Sequence, residues 1–194
     1  MPRSNFFQDP RIINTVDTKK SNDSTKYIEV ATRNEEKIRE YKRILKDFEI
    51  VGKSIDIEEI QSTDPIRVAT HKAKDAYREN GHNPILVEDV SLDIQGLGGR
   101  PGPFVKDFTE EVEMRRILSR DWLKGKNRAA LARVIFAIFD GVQSYYWIGT
   151  TEGEISPEPK GLNGFGFDDI FIPKGSNKTF AEMSGSEKDK FSMR

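Results

Sequence analysis

Two runs of strand character, 129–139 and 145–155, flank the pair Asp140-Gly141, and no other feature constrains the fold of this chain so strongly. Asp-Gly between two β-rich segments signals a hairpin, because both residues tolerate the left-handed backbone of a tight turn. A sheet that contains such a hairpin is not purely parallel. Upstream, the order is the one that builds parallel pairs. Residues 27–32 read as a short strand, and Asn34 can cap a helix with Ile38, Tyr41, Leu45 and Phe48 on one face. A second strand is expected over 54–57 and a second helix over 65–79, with Ile66, Ala69, Ala73 and Ala76 or Tyr77 inward. Further strands are expected at 84–87 and 92–94, and an amphipathic helix at 109–118 on Val112, Met114 and Ile117. The order βαβα, then strand, helix and hairpin, predicts an α/β protein with a mixed sheet. Residues 1–26, rich in Ser, Asn, Asp and Lys in their second half, read as a disordered extension to a domain over 27–194.

Composition removes several function classes. The 31 Lys and Arg nearly balance the 32 Asp and Glu, with the signs interleaved, so the basic footprint that a nucleic-acid polymer needs is missing. A small anionic ligand stays open. Without cysteine there is no disulfide, no thiolate nucleophile and no Cys-based zinc site, and only His71 and His82 supply imidazole. Metal chemistry would then rest on oxygen donors, which favours Mg²⁺ or Mn²⁺. No apolar stretch approaches the roughly 20 residues of a membrane span, and the N-terminus has no charged-then-apolar leader pattern. The cytosol is the expected compartment, with no membrane partner.

Four segments can carry chemistry. In Thr32-Arg33-Asn34-Glu35-Glu36-Lys37 a strand opens into a helix, directing N–H groups and the positive end of the helix dipole outward beside Lys37. That arrangement holds phosphates, though Asn34 as a plain helix cap explains the same residues. Glu59, Glu88 and Asp89 form a carboxylate set, with Asp89 expected at a strand end where it could hold Mg²⁺ or orient an attacking water. A solvated turn is the alternative. Gly164-Phe165-Gly166-Phe167-Asp168 places aromatics at alternate positions, which suits a planar base or a bulged core strand. The basic run 188–194 is a fourth candidate, or a solvated end of the chain.

Taken in order, these segments resemble the inosine triphosphate pyrophosphatase family, also called the HAM1 family. Its opening Thr-Gly-Asn-x-x-Lys stands here as Thr32 to Lys37, and its Glu-x-Gln as Glu59-Ile60-Gln61. Its helix lysine matches Lys72, and its acid-rich and Gly-Gly-x-Pro-Gly stretch matches Glu88 through Gly102. Its Phe-Gly-Tyr/Trp-Asp-Pro-x-Phe run matches Phe165 through Phe171, Lys-Thr-Phe-Ala-Glu-Met is unchanged at 178–183, and the closing basic motif matches Glu187 through Arg194. The resemblance implies an elongated central mixed sheet flanked by helices, with two lobes around a nucleotide cleft. It implies hydrolysis of ITP, dITP and XTP to the monophosphate and pyrophosphate, by a cytoplasmic homodimer that uses Mg²⁺. Carried over, Thr32, Asn34, Lys37 and Lys72 would cradle the triphosphate. Glu59 and Asp89 would hold the metal, Asp89 would act as the base, and Phe165, Phe167, Asp168, Lys188 and Arg194 would bind the purine.

Four departures matter. Arg33 replaces a glycine, Val90 replaces a hydroxyl residue, Asp169 replaces a proline, and Met193 replaces a histidine that helps read the purine 6-keto group. Loss of the proline predicts a looser aromatic segment. Loss of the histidine predicts weaker preference for inosine over adenine, since a thioether donates no hydrogen bond. The family also continues into a further helix past the position of Arg194. The competing expectation is a degenerate nucleotide-binding or interaction module of the same fold with little turnover.

Overall fold

The structure, a computed structural model, describes residues 26–194, so the extension expected over 1–26 lies, apart from Lys26, outside the described residues. The fold is mixed α/β, with a parallel two-stranded sheet and a five-stranded sheet. The chain divides into two compact units, one of residues up to 61, 66–88 and 135–147, the other of 62–65, 89–134 and 148–194. Among the described residues no helix is long and apolar enough to cross a membrane.

In the first unit, β1 (Tyr27–Ala31) leads through α1 (Glu35–Ile44) to β2 (Glu49–Lys53), which pairs parallel with β1 from Tyr27 opposite Glu49 to Ala31 opposite Lys53. Leu86 extends this pairing by a parallel bridge to Val30. Helix α2 (Pro65–Glu79) buries Ala69, Ala73 and Ala76 against Ile85, Val87, Ile135 and Ala137. Those alanines recur every three or four residues, so they form one stripe along the helix, and their small side chains let its backbone approach the strands closely. The strand expected over 54–57 is absent, and the chain pairs earlier, at β2. Its alternation has another cause: Ile55 and Ile57 pack against the alanine stripe without joining a ladder.

In the five-stranded sheet the order is β4 (Arg100–Gly102), β3 (Val87–Ile94), β5 (Ala129–Phe139), β6 (Ser144–Ile155) and β7 (Phe171–Pro173). β4 runs antiparallel to β3, and β7 antiparallel to β6. The turn between β5 and β6 is held by the Asp140 carboxylate, which accepts from the Val142 and Gln143 N–H groups at 2.8 Å each, with Gly141 at φ 96°. Strands β3, β5 and β6 contribute residues to both units.

Two expectations need correction. Instead of strands at 84–87 and 92–94, one strand, β3, runs from Val87 to Ile94 with Leu86 before it in an isolated bridge, so Glu88 and Asp89 lie within β3 rather than after a strand. The helix at 109–118 is two short ones, α3 (Val105–Thr109) and α4 (Val112–Arg116), followed by a π-helical turn at Ile117–Trp122. The Thr109 hydroxyl turns back to the Val105 carbonyl at 2.7 Å, Glu111 is extended, and the break falls between them.

Candidate active site

The first unit holds Thr32, Asn34, Lys37 and Lys72. Asn34 caps α1: its side-chain oxygen accepts from Glu36 N at 2.9 Å and Lys37 N at 3.2 Å, while Thr32 Oγ1 accepts from Asn34 N at 3.1 Å. The Glu36 and Lys37 N–H groups are thus taken up by the cap, the alternative that the sequence also offered for Asn34. The helix dipole, the Thr32 hydroxyl proton and the Asn34 amide group are what the turn offers an anion. Lys37 lies 2.7 Å from Glu88, which is 3% exposed and also accepts from the Tyr41 hydroxyl. Lys72 on α2 lies 2.7 Å from Glu59 in the preceding coil. Both lysines are therefore held by carboxylates.

Alternation along β3 sends Glu88 and Asp89 to opposite faces, so they are not a joint acid pair. Glu88 is committed to Lys37 and Tyr41. Asp89, in the second unit, is partly exposed. Among the described residues no three His, Asp or Glu side chains converge as a ready metal site. Glu59 and Asp89 are oxygen donors of the kind suited to a hard cation that takes the rest of its shell from phosphate oxygens and water. Carboxylate oxygens of this kind fit Mg²⁺.

The second unit builds a buried pair. Asp168, 5% exposed, accepts from Lys188 Nζ at 2.6 Å and from Phe165 N at 2.9 Å, and Lys188 is itself 4% exposed. The Lys188 ammonium lies 5.1 Å from the centre of the Phe165 ring and 5.3 Å from that of Phe180, and the Arg194 guanidinium lies 5.3 Å from the Phe165 centre. Phe165 is thus a cation-lined ring. Phe167 is buried edge-on against Phe171, so it supports the turn from the core and presents no open face. The segment is a turn, not an alternating strand, because Gly164 and Gly166 take φ of 79° and 61°. A Cβ at Gly164 would collide with the Asp168 carboxylate.

Sequence reasoning gave no role to 178–183, and the structure does. Thr179 and Glu182 form a capping box, Thr179 Oγ1 donates to the Lys160 carbonyl at 2.8 Å, and Ala181 N donates to the Asp168 carbonyl at 2.9 Å. This segment is the floor on which Asp168 rests. A second capping box, Ser184 with Glu187, opens α5 (Gly185–Lys188) and sets the position of Lys188. The Ser184 N–H bond, then Lys178, hold the Glu187 carboxyl down to about 2. Thr-x-x-Glu and Ser-x-x-Glu are legible in the sequence as this pattern.

The departures take definite places. Where the family has a proline, Asp169 is bound by Arg115, whose Nε lies 2.8 Å from both Asp169 carboxylate oxygens. Met193 is buried, and its carbonyl sits against Gly149, where a Cβ would collide with it.

The chain is thus a mixed α/β protein with Lys37 in the first turn of α1 in one unit and a buried Asp168–Lys188 pair beside Phe165 in the other. The Ham1 family model matches residues 28–194. The dITP/XTP pyrophosphatase of Hyperthermus butylicus is 36% identical over 168 residues, spanning 85% of this chain and 87% of that protein. Inosine triphosphate pyrophosphatase 1 of Trypanosoma cruzi is 35% identical over 173 residues, spanning 86% of each. A HAM1 protein from Coxiella burnetii superimposes with a TM-score of 0.74 at 28% identity, over 87% of this chain and 92% of that one. The chain belongs to the Ham1 family.

Proposed function

We propose that this chain hydrolyses the non-standard purine triphosphates ITP, dITP and XTP to the monophosphate and pyrophosphate, removing them from the nucleotide pool. The observation that carries the reading is the buried Asp168–Lys188 pair beside Phe165, in a family whose relatives are named for this activity. Hypoxanthine and xanthine present an N1–H donor and a 6-keto acceptor, whereas adenine presents an acceptor and an amino donor. A carboxylate beside an ammonium complements the first pattern and opposes the second, and buried polar sites turn such mismatches into large discrimination. Phe165 and Arg194 take the ring face and edge, and Phe167 braces the turn.

Thr32, Asn34, Lys37 and Lys72 hold the triphosphate, each lysine exchanging its carboxylate partner for phosphate oxygens. Glu59 and Asp89 are the protein ligands of Mg²⁺, or of Mn²⁺ in its place. When bound, the ion supplies charge neutralisation at the phosphates. Asp89 accepts the proton of the water that attacks the α-phosphorus, the bond to the bridging oxygen breaks, and pyrophosphate departs. The family resemblance further supports a cytoplasmic homodimer acting on free nucleotides, and sedimentation of the purified chain reads that state.

The deciding experiment measures pyrophosphate release with Mg²⁺ from ITP, XTP, GTP and ATP. Release favouring ITP and XTP upholds the reading. Equal release from all four removes the specificity, and nucleotide binding without turnover identifies a degenerate module instead.

A further inference from the structure

Arg115 joins the turn carrying Asp168 to a part of its own unit 54 residues away in sequence. Its Nε faces both Asp169 oxygens at 2.8 Å, while Nη1 donates to the Thr109 carbonyl at 2.6 Å and meets the Glu110 carbonyl at 3.4 Å. The acceptors at one end are carbonyls where α3 stops, groups that a helix leaves without internal partners. The acceptor at the other end is the neighbour of Asp168. Both members of the ion pair are largely buried, so water and salt screen it little. Asp169 is fixed at its backbone too, its carbonyl accepting from Lys160 N at 2.8 Å.

We propose that Arg115 is a positioning residue for purine recognition: through Asp169 it fixes the backbone at 168–169 and so aims the Asp168 carboxylate. The proposal rests on the reading of Asp168 as the base-recognising group. A proline at 169 restrains the same backbone covalently by fixing φ, whereas this chain achieves the restraint through an ion pair anchored on α3. Arg115 touches no substrate. Its removal loosens the aim of Asp168 and leaves water attack at the α-phosphorus unaffected.

The test is a cycle of four proteins: the parent chain, Arg115→Gln, Asp169→Pro and the double variant. For each, kcat and KM for ITP and ATP are measured, together with the dissociation constant for ITP by calorimetry without Mg²⁺. Coupled pairs of this kind commonly shift an equilibrium by about tenfold. Arg115→Gln is expected to raise KM and the dissociation constant for ITP by about that factor while kcat changes less than about twofold. It also narrows the ITP-to-ATP ratio, and the penalty falls below about twofold when residue 169 is proline. Equal losses in both backgrounds, or a fall in kcat with KM unchanged, overturn the proposal and leave Arg115 a structural tie. A parent chain that binds ITP without releasing pyrophosphate defeats the catalytic reading alone, since the calorimetric cycle still reports on Arg115. Absence of ITP binding by the parent defeats both.

Discussion

Glu88 and Asp89 are adjacent in sequence and separate in chemistry, because β3 turns them to opposite faces. Their substitutions should therefore fail differently. Asp89→Asn is expected to lower kcat for ITP by about a thousandfold or more, with an unchanged melting temperature, since it removes a proton acceptor at a partly exposed site. Retained turnover in that variant removes Asp89 from the mechanism. Glu88→Gln instead leaves the Lys37 ammonium without its buried counter-charge, and a stability loss of about 3 kcal/mol is expected in denaturant titration. Met193→His restores a hydrogen-bond donor that the sequence lacks, and the ITP-to-ATP ratio of kcat/KM should rise. If the ratio stays level, the buried position of Met193 matters more than its missing donor.

Short elements with strong caps hold the Asp168–Lys188 pair proposed to read the purine. The carboxyl of Glu187 sits well below the usual glutamate value, at about 2, because it accepts from Ser184 N and pairs with Lys178. A depressed value means that the cap's contribution is complete above the ordinary glutamate range and fades as pH falls toward 2. Glu187→Gln should accordingly lower the melting temperature at neutral pH, and the gap to the parent chain should close on acidification below about pH 4.5. A gap that keeps its full neutral-pH size at pH 2 excludes the charge as its origin. The same elements show what a sequence discloses. Helix α2 is legible to its ends, because a proline opens it and its alanine stripe keeps one phase over about two turns. The Asn34 cap and the β5–β6 turn were equally legible, their signals being local. By contrast, 54–57 alternates like a strand but has no ladder partner, and 109–118 has helical spacing broken where the Thr109 hydroxyl turns back to Val105 and Glu111 is extended. Site residues emerged as a family pattern, while their pairings did not: nothing local in the chain announces that Glu88 holds Lys37 or that Arg115 holds Asp169.

At the scale of the whole molecule, near-balanced charge predicts no retention on immobilised duplex DNA at physiological salt, and salt-dependent retention contradicts the free-nucleotide reading. Stability and catalysis also meet in one place. Helix α2 carries Lys72 at the border of the stripe by which it presses Ala69, Ala73 and Ala76 against Ile85, Val87, Ile135 and Ala137. A larger side chain in that stripe, as in Ala73→Leu, is expected to cost about 1 to 3 kcal/mol and to push the helix outward. The lysine travels with it. The smallest side chains of the core thus act as spacers that gauge the height of a phosphate-binding charge, and an enlarged alanine far from any ligand should register in kinetics as a defect in nucleotide affinity.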